Sequence, residues 1–119
     1  MTKQIILYNL RDNVKDEDYI KWCNEFKGPL LLGLKSTKSY TLVKMGGGRK
    51  GNGQKGEPPE DTKSPFSFIG ILDVTSAEEW KKDMDSEAYR NDFLPKFFSN
   101  WGADFYAIMG EEVYHKESD

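Results

Sequence analysis

The segments of this chain that read most clearly as strands are apolar on both faces. They run Ile5-Ile6-Leu7-Tyr8, then Phe66 and Phe68-Ile69 with Ile71-Leu72, then Phe105-Tyr106-Ala107-Ile108-Met109. A strand wet on one side alternates apolar and polar residues, because successive side chains point to opposite faces. A sheet built from these strands must therefore be covered twice, and the rest of the chain has helices for one side only. A second copy of the same chain is the simplest cover for the other. At 119 residues the chain suits one domain, 1–119, and a domain this small gains from a partner.

The pass along the chain supports that arrangement. Residues 3–10 form a first strand and Arg11-Asp12-Asn13 a turn. A helix starts between Val14 and Asp16, where Asp16, Glu17 and Asp18 suit the positive end of its dipole. Tyr19, Trp22, Cys23 and Phe26 fall on one helical stripe, which Lys27-Gly28-Pro29 interrupts before a short turn at Leu30–Leu34. Residues 36–45 alternate as an edge strand. Residues 46–65 hold six of the eleven glycines and read as a flexible Gly/Pro-rich loop between strands. A third strand at 66–74 leads to Ser76-Ala77-Glu78-Glu79, a capping box that opens a helix carrying Trp80 and Met84. Ser86 caps a further helical piece with Tyr89 and Phe93 inward; Pro95 kinks or restarts it, and Gly102 stops it. A fourth strand at 103–110 precedes a charged tail, 111–119.

The order β-α-β-β-α-β is the ferredoxin-like pattern: α+β, one four-stranded antiparallel sheet with helices on one face. Its bare face then predicts a homodimer packed sheet to sheet. With that loop position and doubly apolar sheet, the chain resembles the dimeric α+β barrel superfamily. Within it, the chain is most similar to the small REDY-like proteins and to antibiotic biosynthesis monooxygenase-like proteins. The matching residues are the opening Ile-Ile-Leu-Tyr-Asn-Leu strand, the Tyr19/Trp22 helix, and Phe68-Ile69-Gly70-Ile71-Leu72-Asp73-Val74 leading into Ser76-Ala77-Glu78-Glu79-Trp80. The resemblance implies a site between sheet and helices of each subunit. It leaves the activity open among cofactor-free monooxygenases, isomerases, haem-degrading enzymes and members of unknown activity. Haem-degrading members use a histidine on the second helix, and this chain has none there.

The net charge of -3 and pI near 5.2, with both signs mixed along the chain, argue against a nucleic-acid partner. No apolar run is long enough to span a membrane. One cysteine, Cys23, allows no internal disulfide, and a cytoplasmic location is expected. The single histidine, His115, lies in the tail, so no metal is expected, and nothing calls for a cofactor.

Three residues near strand ends or interiors are candidate catalysts: Asn9, Tyr8 and Asp73. A buried amide could hold a substrate carbonyl or enolate; alternatively Asn9 pairs with backbone and Asp73 caps a turn. Tyr19, Trp22, Trp80, Tyr89 and Phe93 are candidate ligand-binding aromatics for a flat apolar molecule, or simply core. Cys23 on the same stripe reads as a small hydrophobe. Arg49, Lys50 and Lys55 in the Gly-rich segment would attract an anion if that segment closed as a lid over a cleft. These residues support a small cofactor-independent oxygenase or isomerase acting on an aromatic or polyketide-like molecule. The alternative is a non-catalytic small-molecule-binding or accessory protein.

Overall fold

The structure, a computed structural model, describes residues 1–51 and 56–119. Strands β1 (Thr2–Leu10), β2 (Thr37–Lys44), β5 (Phe68–Val74) and β6 (Gly102–Glu111) make one antiparallel sheet in the order β2-β5-β1-β6. A second, two-stranded ladder joins β3 (Gly47–Lys50) to β4 (Glu60–Lys63). The helical layer consists of α1 (Asp16–Trp22) and α2 (Gly28–Leu32) from the first crossover, and α3 (Ala77–Met84) and α4 (Leu94–Asn100) from the second. This is the ferredoxin-like architecture.

Alternation along the two central strands decides which side chains meet the helices. Gln4, Ile6 and Tyr8 of β1, with Phe68, Leu72 and Val74 of β5, are buried beneath them. Lys3, Ile5, Leu7 and Asn9 point the other way, as do Ile69, Ile71 and Asp73. The open face continues into β6 through Tyr106, paired with Leu7, and Ile108, paired with Ile5. It reaches β2 at Val43, paired with Ile69. Tyr106 is 58% and Ile108 51% exposed. No element of this chain covers that apolar surface among the described residues, as the doubly apolar strands require.

Both helical crossovers contain a π-helical turn, at Cys23–Lys27 and at Ala88–Phe93. A proline follows each closely, Pro29 and Pro95. A proline ring clashes with the carbonyl four residues earlier, here Glu25 and Asn91, each inside the π turn. Widening that turn removes the clash without ending the helix. The interruption expected at Lys27-Gly28-Pro29 is thus a widened turn, and so is the kink expected at Pro95. Gly28 is needed for it: a Cβ there would lie 2.9 Å from the Cys23 carbonyl oxygen.

Two local expectations are corrected. The 46–65 segment, read as a loop, carries the β3–β4 ladder in its two arms; four backbone pairings from Gly47/Lys63 to Lys50/Glu60 satisfy groups that a loop would leave to water. Residues 52–55, with the Lys55 of the expected lid, lie outside the described residues. Gly102 does not end α4 through a left-handed cap; it opens β6, and a Cβ there would sit 2.4 Å from the Phe97 ring. The extra residue in β6 opposite Leu7–Asn9 is absorbed near Asp104, whose φ is 48°.

Candidate functional site

The widened turn at Cys23–Lys27 changes which residue faces the sheet. On an undistorted α-helix the stripe Tyr19–Trp22–Cys23 continues to Phe26. Here Phe26 is only half-buried, and Lys27 is turned inward and is 1% exposed. Its amine donates to the Tyr19 hydroxyl at 2.7 Å and to the Tyr8 hydroxyl at 3.1 Å. The two hydroxyls are 2.5 Å apart. The rings of Tyr8, Tyr19, Tyr40, Phe93 and Phe97 surround the nitrogen, with centres 4.8–5.9 Å away. No carboxylate among the described residues is bonded to it.

The electrostatics follow from that burial. Loss of water disfavours the ammonium and lowers the Lys27 pKa to about 8, against a small opposing pull from Cys23. Burial likewise raises the phenols of Tyr8, Tyr19 and Tyr40 well above their ordinary value, and pushes the Cys23 thiol up. Tyr89, on the far side of Phe93, is pushed up to about 12 by burial. Near neutral pH the cluster therefore has protonated tyrosines around an amine that is mostly ammonium but loses its proton more readily than an ordinary lysine.

An open groove of about 500 Å³ lies beside this cluster, between the first helical layer and edge strand β2. Ile20, Cys23, Gly28 and Pro29 form one wall, Tyr40 and Leu42 the other. Tyr40 belongs to both features: it lines the groove, and its ring centre is 5.5 Å from the Lys27 nitrogen. Its hydroxyl is buried and has no hydrogen-bond partner among the described residues. Gly70 across the strand makes room for it, since a Cβ there would fall 3.4 Å from the ring.

The candidates from the sequence divide between the two faces of the sheet. Tyr8 is in the cluster. Asn9 is on the open face near the strand end, where its carbonyl oxygen accepts from the Ser67 amide and hydroxyl and its amide donates to Pro65 and Asp104. Asp73 is also on that face, accepting from Lys3 at 2.5 Å and from Ser39 at 2.9 Å. Asn9 and Asp73 are therefore not brought together with Tyr8. The five aromatics do share the helix side: Trp22 contacts Tyr19 and Phe93, and Tyr89 links Phe93 to Trp80. Tyr19, Trp80, Tyr89 and Phe93 are buried against one another and the sheet as core. His115 is exposed in the tail, and Arg49 donates to the Pro59 carbonyl within the hairpin. Among the described residues no three His, Cys, Asp or Glu side chains converge as metal ligands, and no helix is long and apolar enough to cross a membrane.

Sequence reasoning misses Lys27 because a lysine beside Gly-Pro reads as a helix break. The signal that could find it is the 19-23-27 spacing together with a proline two residues on. A second buried polar contact is missed in the same way. Asp83 of α3 accepts from the Ser36 amide at 2.7 Å and from its hydroxyl, tying the second helical layer to the entry of β2.

The family model described as REDY-like protein HapK matches residues 2–113. No curated protein matches the chain. Among solved structures, HapK from Hahella chejuensis superposes with a TM-score of 0.70 at 12% identity, covering 100% of this chain and 99% of that one. A dimeric ferredoxin-like protein of unknown function from Thermobifida fusca superposes with a TM-score of 0.62 at 15% identity, covering 92% and 88%. A candidate antibiotic biosynthesis monooxygenase from Nitrosomonas europaea gives 0.62 at 6% identity, covering 96% and 100%. At these identities the likeness is one of fold.

Proposed function

This chain belongs to the REDY-like HapK family, and on that premise we propose that it works as a homodimer whose subunits each bind a small, flat, largely apolar molecule in the groove beside β2. The observation that carries the reading is the groove itself: apolar walls on one side of Tyr40, a hydrogen-bonded Lys27–Tyr8–Tyr19 cluster on the other. Binding sites commonly combine apolar lining with a few convergent polar groups. The open sheet face supports the dimer, as does the dimeric state of the Thermobifida fusca protein. In that dimer Asn9 and Asp73 are contact residues, and Tyr8 is the one proposed catalyst that keeps a chemical role. A free, buried Cys23 suits a reducing compartment, so the proposal places the protein in the cytoplasm.

As an enzyme, the dimer would be a cofactor-independent isomerase or monooxygenase for an aromatic or polyketide-like substrate. A neutral Lys27 amine is a competent base for a proton beside a carbonyl, and the two phenols can donate to the resulting enolate. The non-catalytic reading, a carrier or accessory protein, is favoured by one feature: the amine is sealed from water. Backbone amide NMR with flat aromatic ketones distinguishes these. Shifts concentrated at Ile20, Asn24, Tyr40 and Leu42 are expected, with deuterium incorporation beside the ketone if the protein is an isomerase. Shifts confined to the open sheet face, or none, would sink the groove assignment.

A further inference from the structure

We infer that Lys27 is a carbonyl-capturing residue: it forms a covalent imine with an aldehyde that enters the groove and passes Tyr40. The inference rests on the groove as the binding site and adds the ligand class, an apolar aldehyde.

Several observations converge on this. The amine has no carboxylate among the described residues to hold it as an ammonium; its hydrogen-bond partners are two phenols. The groups facing it from the surrounding elements are Tyr8 of β1, Tyr19 of α1, Cys23 of its own turn and Tyr40 of β2, none of them anionic near neutral pH. A desolvated lysine in an apolar pocket is the form in which this side chain acts as a nucleophile. Tyr40 is the wall between groove and amine, and because its hydroxyl makes no hydrogen bond, displacing the ring breaks none. That unpartnered hydroxyl is also the group an entering carbonyl oxygen would satisfy.

The chemistry balances without an oxidant. The Lys27 lone pair attacks the carbonyl carbon, forming a C–N bond, and the C=O π electrons move to oxygen, which takes a proton from the Tyr8–Tyr19 pair. The nitrogen gives up a proton, restoring the phenol and leaving a carbinolamine. The nitrogen lone pair then closes the C=N bond as the C–O bond breaks; the oxygen leaves as water with a proton from the phenol pair, and the remaining N–H proton returns to that pair. Aldehyde plus amine thus gives imine plus water.

The test uses the full-length protein, benzaldehyde and sodium cyanoborohydride, which reduces the imine to a stable secondary amine. Peptide mass spectrometry then locates the label, with far-UV circular dichroism confirming that the protein stays folded. A lysine of pKa about 8 has on the order of 100-fold more neutral amine at pH 7 than an ordinary lysine. Lys27 should therefore be labelled ahead of the exposed lysines, and faster still in Tyr40→Ala. Label on exposed lysines alone, with Lys27 untouched in both proteins, overturns the inference. Benzyl alcohol, which cannot form an imine, separates the two claims. If it shifts the groove amides while Lys27 stays unlabelled, the groove survives and the covalent step does not. If it shifts none of them, the groove reading falls as well.

Discussion

Among single residues the most consequential is Lys27. Burying its amine depresses the folded-state pKa to about 8, below the unfolded value near 10.5. Five surrounding rings recover part of the cost through cation–π attraction. Below pH 8 both states are protonated and the folded state bears the full cost of burying the charge. Between pH 8 and about 10 the unfolded chain binds more protons, so this group's contribution to stability rises with pH. Above pH 10 the buried phenols reverse the trend, because they ionise only in the unfolded chain; Cys23 opposes it somewhat earlier. The Lys27→Met variant isolates the effect. The stability of wild type relative to Lys27→Met, from urea unfolding, should rise by about 2–3 kcal/mol from pH 7 to pH 10. A difference that is flat with pH would mean that the amine is not desolvated.

Among the elements, each proline acts on the turn before it. Pro29 and Pro95 sit on the first turn of α2 and α4, where their missing amides cost little, and each makes the preceding turn widen. The Pro29→Ala variant restores a donor for the Glu25 carbonyl and removes the ring clash. The Cys23–Lys27 turn should then tighten to α-helical, bringing Phe26 inward and turning Lys27 toward solvent. The Lys27 amine, followed by NMR of labelled lysine side chains, should titrate near the ordinary lysine value. If it still titrates near 8 in Pro29→Ala, the tertiary packing of Tyr8 and Tyr19 holds the lysine inward and the proline does not.

For the molecule as a whole, the decisive feature is the open face of the sheet. Ile5, Leu7, Val43, Ile69, Ile71, Tyr106 and Ile108 form a continuous apolar patch, bordered by the Lys3–Asp73–Glu112 ion pairs on one side and the Asn9–Ser67–Asp104 hydrogen bonds on the other. An apolar centre with a polar rim is how protein interfaces are organised. Light scattering on the eluting protein should give twice the 13.7 kDa chain mass. Ile71→Lys places a charge at the centre of the patch, where burial without a partner costs several kcal/mol. It should halve that mass while leaving the far-UV circular dichroism unchanged. A dimer that persists in Ile71→Lys would move the interface elsewhere.

The order of the four sheet strands and the helices between them, the ferredoxin-like sheet and its bare second face were legible in the sequence because each rests on local pattern, whereas the β3–β4 ladder was not. The central strands are short apolar runs with residues for both faces, apolar residues recur at spacings of three to four in the helices, and the Ser76 hydroxyl accepts from the Glu79 amide as the capping signature requires. What the sequence could not disclose depended on contacts between distant residues. Which of Phe26 and Lys27 faces inward turned on a proline's clash with a carbonyl four residues back. The pairing of Ser36 with Asp83 and of Lys27 with Tyr8 joins groups 47 and 19 residues apart. The separation of Tyr8 from Asn9 and Asp73 follows from the alternation of β1 and β5, but its bearing on a shared site emerged only when both strands were placed in one sheet. The layers of this protein thus follow from local patterns written along the chain. The seat of the buried Lys27 amine does not, because it is set by side-chain packing between the first helical layer and the sheet.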